Sequence, residues 1–360
     1  MKRIRDIISR NKLYAVLATF IILINLAVFV GRQAEKAEKQ QEAAGEQVPQ
    51  EKVEEEKTLY DEEDVEARRD KIEELAKKDP KLYFFLGILN LFILFVIFVG
   101  ILFDGYFIGR WLRKKPLNIA TNKPEPPRWT IADIVRVTLI FLSCGYVFVI
   151  LQAFFAKAVP ILDNENFRMI LDTAMVNIVG ISVILYFIVK KYNQDISALG
   201  LTTKGLTKNI FYAIVAYIAL VPVLLAIMAL TFFVVKFIQY KPPVQPIVEV
   251  FLKEEEPTVL WASAIFAAVF GPIAEEIFFR GFVYSTIKKS FGIFWAMIVT
   301  SAVFSLLHTH IVGFVPIMIL GLLLAYLYEK TGSLVSCMSV HIAHNLAMVV
   351  LVFLARGIGA

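Results

Sequence analysis

The chain has 360 residues, 58% of them hydrophobic and 19% charged, with a mean hydropathy of +0.66; a soluble globular domain sits nearer about a quarter charged. The net charge is +5 and the pI about 9.0, yet the Lys and Arg residues flank apolar runs and form no basic patch or stripe. Nucleic acid is therefore excluded as a partner, and the charge reads as membrane-flanking.

The N-terminus, MKRIRDIISRNK, is basic and leads into an apolar run from Leu13 to Gly31. That run is too long for the core of a cleaved signal, and no small-residue cleavage site follows it, so it reads as an uncleaved anchor (1–31). A polar stretch rich in Glu, Lys and Gln follows over 32–81. Glu73 with Lys77 and Glu74 with Lys78 are spaced for helical i,i+4 pairs, and Asp79-Pro80 ends the helix they predict. The stretch reads as a partly helical, solvated spacer without chemistry of its own.

Further apolar runs lie at about 82–109, 131–155, 169–189, 210–237, 258–287, 293–310, 312–328 and 334–355. Each approaches or exceeds the roughly 20 residues that cross the hydrocarbon core. With the anchor they predict an all-α, polytopic transmembrane helix bundle of about nine spans. Arg110, Arg113, Lys114, Lys115 and Lys123, then Lys190, Lys191, Lys204 and Lys208, then Lys288 and Lys289 all fall on the same side as the N-terminus. The segments between, 156–168 and 238–257, are poorer in Lys and Arg, and the second holds Glu254, Glu255 and Glu256. The positive-inside rule then puts the N-terminus in the cytoplasm. Cys144 and Cys337 lie inside apolar runs, without metal-ligand spacing or a disulfide framework, and read as packing residues.

Ionisable groups at membrane depth are costly and mark function. The run from Val259 to Lys289 is interrupted by Glu275, Glu276 and Arg280. Glu276 and Arg280 are i,i+4, about 40° apart around a helix, and are placed to pair. Glu275 lies about 100° round from Glu276 and has no partner within its own helix, so it must find one elsewhere. Pro272 cannot donate to the carbonyl of Ala268, which predicts a local kink or an opening for water.

The chain has four histidines, His308, His310, His341 and His344, all of them after these glutamates. A turn near Ser290-Phe291-Gly292 would place Glu275 and His308 at one depth, about 24 Å of helix from the turn. His341 and Asn345 are i,i+4 and share one face of the last span. Phe304, one turn before His308, would wall the site. His310 falls nearer the outer edge of the bilayer, and His344 behind the site.

Three ordered stretches, EEIFFRG (Glu275–Gly281), FSLLH (Phe304–His308) and HIAHN (His341–Asn345), resemble the EExxxR, FxxxH and HxxxN motifs of the CPBP intramembrane protease family. That family comprises the type II CAAX prenyl endopeptidases and bacterial bacteriocin-processing and self-immunity relatives. The GPIA before the glutamates and Ala198-Leu199-Gly200-Leu201 upstream resemble family features too. The similarity covers roughly 258–350, which makes 258–355 the catalytic core and 82–257 accessory transmembrane helices. The resemblance implies that Glu275 and His308 activate a water, that His341 and Asn345 stabilise an oxyanion, and that Glu276 and Arg280 support the site or bind substrate. Independently, a carboxylate in a dry cavity suits a general base, and fixed amide and imidazole donors suit an oxyanion.

The sequence leaves the metal open. Glu275, His308 and His341 would make a catalytic zinc shell, as in an intramembrane metalloprotease; the chain lacks HExxH, which would have settled the matter, and the placement of Asn345 as a donor inclines the reading to a metal-independent site. The expected activity is hydrolysis of a peptide bond in a membrane protein or peptide, within the lipid bilayer of a prokaryotic cytoplasmic cell membrane. The rival readings are a non-catalytic immunity or scaffolding protein and a proton-coupled transporter.

Overall fold

A computed structural model describes residues 11–45, 80–115, 117, 119, 122–155, 158–240, 242, 244–308 and 311–358. Residues 1–10, most of the polar spacer with its Glu–Lys pairs, and His310 lie outside the described residues. All regular structure among the described residues is helical, as expected for a chain whose apolar runs are long and whose backbone must satisfy itself within the bilayer.

The chain forms two compact units, the first comprising residues 1–57 and 132–183 and the second residues 58–131 and 184–360. The first unit holds α1 (Lys12–Gly45), α3 (Ile131–Phe155) and most of α4 (Glu165–Tyr186). Its α1 runs on past the anchor into the first part of the spacer. Within this unit Asn25 Nδ2 donates to Tyr146 Oη at 2.8 Å, tying α1 to α3.

The second unit contains α2 (Pro80–Leu112), α5 (Leu206–Phe237), the short amphipathic α6 (Pro246–Lys253), and a long helical stretch from Pro257 to Leu307. It closes with α10 (Phe314–Thr331) and α11 (Leu334–Ile358). Phe92, Phe95 and Phe98 of α2 and Phe232, Phe233 and Phe237 of α5 are all exposed. Contiguous bulky apolar surface of this kind belongs against lipid, not water.

Among the described residues, eight helical stretches are long and apolar enough to cross a membrane. The sixth, Pro257–Leu307, is 51 residues, or about 76 Å at the α-helical rise, far more than the roughly 30 Å hydrocarbon core. It breaks at Gly292, whose φ of 85° and ψ of 173° no helix contains and which side chains rarely tolerate. The runs 258–287 and 293–310 are therefore two legs joined at one glycine, where the sequence placed the turn.

The first leg is itself irregular. It proceeds as α7 (Pro257–Ile265), a π-helical turn (Phe266–Phe270), α8 (Gly271–Glu276), a second π-helical segment (Ile277–Tyr284) and α9 (Ser285–Leu307). Each wide turn leaves backbone carbonyls that side chains take up. Phe282 O accepts from Trp129 Nε1 at 3.0 Å and Thr286 Oγ1 at 2.7 Å, and Arg280 O accepts from Ser285 Oγ at 3.4 Å. The short 3₁₀ turn Ile196–Leu199 packs here as well. A Cβ on Gly281 would sit 3.1 Å from Leu199 O, so only glycine lets this turn of the Ala198–Leu201 stretch lie so close.

Candidate active site

Every sequence-predicted site residue that the structure describes lies in the second unit, on α8, the segment after it, α9 and α11. Glu276 and Arg280 are both fully buried, and Arg280 Nη1 donates to Glu276 Oε1 at 2.7 Å, the i,i+4 pair expected. The second arm of the guanidinium donates to Gly321 O on α10 at 3.2 Å, and its plane lies over Phe304 with Cζ 4.6 Å from the ring centroid. A charge at this depth needs such pairing, because unpaired it would carry the whole desolvation cost; the guanidinium Nε makes no hydrogen bond among the described residues.

Glu276 Oε1 also accepts from His341 Nδ1 at 2.8 Å. A carboxylate paired to arginine has no proton to give, so the Nδ1–H is the donor and the ring orientation is fixed by it. His341 is 2% exposed. Its other nitrogen, Nε2, is thereby aimed at Glu275, whose Oε2 lies 3.7 Å away. That is longer than a hydrogen bond and leaves both atoms available to a third group beside them. Glu275, at 34% side-chain exposure, is the open member of the pair. The partner it lacked on its own helix is His341 from α11.

Phe304 is the hub expected of a wall. It is 1% exposed, with its ring 4.7 Å from His308, 5.5 Å from His341 and 5.3 Å from Phe279, each in an edge-on arrangement. His308 closes α9 and donates Nδ1–H to Phe304 O at 2.8 Å, which directs its Nε2 away from its own helix. No hydrogen bond or ion pair joins His308 to Glu275 among the described residues. The two histidines flank one phenylalanine, and the direct contact of Glu275 is with His341.

Asn345 shares the His341 face, as its spacing requires. Its Nδ2 donates to Ala267 O at 2.8 Å. His344 points elsewhere, with Nδ1 3.4 Å from Tyr217 Oη on α5. Pro272 does mark an irregularity: the π turn ends at its doorstep. In that wider register Pro272 leaves Ala267 O without a backbone donor.

Sequence reasoning missed Gly321 O, Ala267 O and Cys337, which is fully buried beside Glu276. The two carbonyls carry no side-chain signal at all. Cys337 lies i,i+4 before His341, and that spacing on the motif helix was the one available clue. Among the described residues, no group of three or more His, Cys, Asp or Glu side chains is arranged to hold a metal ion. The set Glu275, His308 and His341 is not among such groups.

The fold and site together define a multi-pass α-helical membrane protein with a buried Glu–Arg–His cluster opening onto a second glutamate. Residues 257–347 are similar to the family described as type II CAAX prenyl endopeptidase, Rce1-like. No curated protein and no solved structure matches the chain.

Proposed function

We propose that this protein is an intramembrane endopeptidase that hydrolyses a peptide bond of a membrane-associated protein or peptide with a water activated at Glu275. The observation that carries this reading is Glu275 Oε2 facing His341 Nε2 at 3.7 Å, with the histidine held from behind by Glu276 and Arg280. A water seated beside the pair, at hydrogen-bond distance from both atoms, is within reach of a base and of an imidazole at once.

Glu275 takes one proton from the water as its oxygen attacks the scissile carbonyl carbon. His341, with Nδ1–H committed to Glu276, presents Nε2 to the developing oxyanion and donates to it when protonated. Glu275 then passes its proton to the departing amine as the C–N bond breaks, leaving a carboxylic acid and an amine and restoring the carboxylate. His308 orients the water or substrate through Nε2 from the far side of Phe304. Glu276 and Arg280 hold the histidine. The chain's own groups suffice for this scheme without a metal.

The basic loops support a cytoplasmic N-terminus, and the protein's place is then a prokaryotic cytoplasmic membrane. Comparative membrane proteomics of wild type against Glu275→Ala tests the activity. Peptides that stop being cleaved in the variant are expected. Unchanged hydrolysis by purified Glu275→Ala and His308→Ala would remove the basis of the proposal.

A further inference from the structure

In the turn Phe266–Phe270 the backbone bonds skip one residue further than in an α-helix: Gly271 N donates to Phe266 O. The next donor in this register would be the N–H of residue 272, aimed at Ala267 O. Residue 272 is proline and has none. A peptide carbonyl without a donor inside a membrane protein is a serious defect. The donor that Ala267 O does have comes from α11, the Nδ2 of Asn345 at 2.8 Å.

We propose that Asn345 is a positioning residue, whose side-chain amide replaces the backbone donor that Pro272 lacks and so fixes the turn on which Glu275 sits. The carboxylate is close to that turn. A Cβ on Gly271 would lie 3.9 Å from Glu275 Oε1 and 3.3 Å from Phe266 O, so Glu275 folds back over the backbone that the wide turn shapes. One helix thus clamps the other at two points one turn apart on α11. His341 grips Glu276, Asn345 grips Ala267, and Glu275 lies between the clamped positions. A π turn beside a functional group is a recurrent arrangement; here its missing hydrogen bond is supplied by a side chain from a different span. This role rests on Glu275 being the base proposed above.

The test is a double-variant cycle on the full-length protein in detergent, with wild type, Asn345→Ala, Pro272→Ala and the two combined. Thermal midpoints are measured for all four, and kcat and KM on a peptide whose cleavage depends on Glu275. Asn345→Ala alone is expected to lower the midpoint and to lower kcat by about 10²-fold, the effect of misplacing a catalytic group by about 1 Å, with KM little changed. In the Pro272→Ala background residue 272 carries an N–H, and Asn345→Ala is expected to cost little further in either quantity. Asn345→Asp keeps the side chain's shape but, ionised, has no N–H, and is expected to lose kcat as Asn345→Ala does; full kcat there overturns the proposal whether or not the Pro272 variants fold. Additive losses of midpoint would overturn it without reference to any substrate, which separates its failure from failure of the protease reading. An equal loss of kcat in both backgrounds would assign the amide to the reacting carbonyl and also overturn it.

Discussion

Glu276 accepts the Nδ1–H of His341 at 2.8 Å across 65 residues of chain, and this bond decides which face of the imidazole reaches Glu275. Arg280 completes the arrangement by neutralising Glu276. The order Arg280–Glu276–His341–Glu275 alternates groups able to carry positive and negative charge, and only the last, Glu275, is substantially open.

Replacing Glu275 by Gln should separate activity from folding. Among the described residues its carboxylate makes no hydrogen bond and stands 3.7 Å from its nearest ionic partner, so little stability depends on it. Hydrolysis is expected to fall by about 10²- to 10⁴-fold, the usual contribution of a general base, while the thermal midpoint stays close to that of wild type. Cleavage assays and thermal denaturation on the same preparation check both halves.

Arg280→Met should behave in the opposite way. It leaves Glu276 fully buried with its charge uncompensated, a defect worth about 3–5 kcal/mol. The double variant Arg280→Met with Glu276→Gln removes both charges and is expected to recover much of that loss, though not activity, since His341 would no longer be aimed by a carboxylate. Chemical or thermal denaturation in detergent measures the difference.

His308→Ala is expected to abolish hydrolysis with only about 1 kcal/mol lost from stability, the net worth of its one side-chain hydrogen bond to Phe304 O. Its helix ends there in any case, so no interior turn is weakened. Retention of wild-type turnover would mean that the histidine only packs against Phe304.

Gly292→Ala isolates backbone strain. Nothing lies within 4 Å of the added Cβ, yet φ is +85°, so the cost is conformational and of the order of 1–2 kcal/mol. A drop in thermal midpoint without loss of specific activity is expected, since the hinge lies about 24 Å of helix or more from Glu275 and His308.

Prolonged treatment with a strong chelator should leave hydrolysis intact, because the described His, Cys, Asp and Glu side chains form no group able to hold a metal ion. Loss of activity on chelation, restored by zinc, would show instead that Glu275, His308 and His341 move together on binding it.

Much of the architecture was legible because a bilayer imposes length and apolarity on each span, and those are properties of a linear string. The hinge at Gly292 followed from a glycine beside Lys288 and Lys289 between two apolar runs. The Glu276–Arg280 pair followed from i,i+4 spacing, and the shared face of His341 and Asn345 from the same rule. The partner of Glu275 did not follow. Equal counting from the hinge set Glu275 and His308 at one depth, but the π-helical segment Ile277–Tyr284 between Glu275 and the hinge alters the rotation per residue there, and an argument built on ideal helices accumulates that error.

The sequence by itself determined that this is a membrane-spanning helical protein, which residues are polar at depth, and which of them share a helix face, because these depend only on local periodicity and on the cost of charge in hydrocarbon. Only the tertiary structure decided that His341 stands opposite Glu275, that His308 is joined to it by Phe304, and that Asn345 reaches a backbone carbonyl. Those relations depend on how far each helix is wound where it meets its neighbour, and a proline with a pair of wide turns changes the winding without leaving a periodic trace.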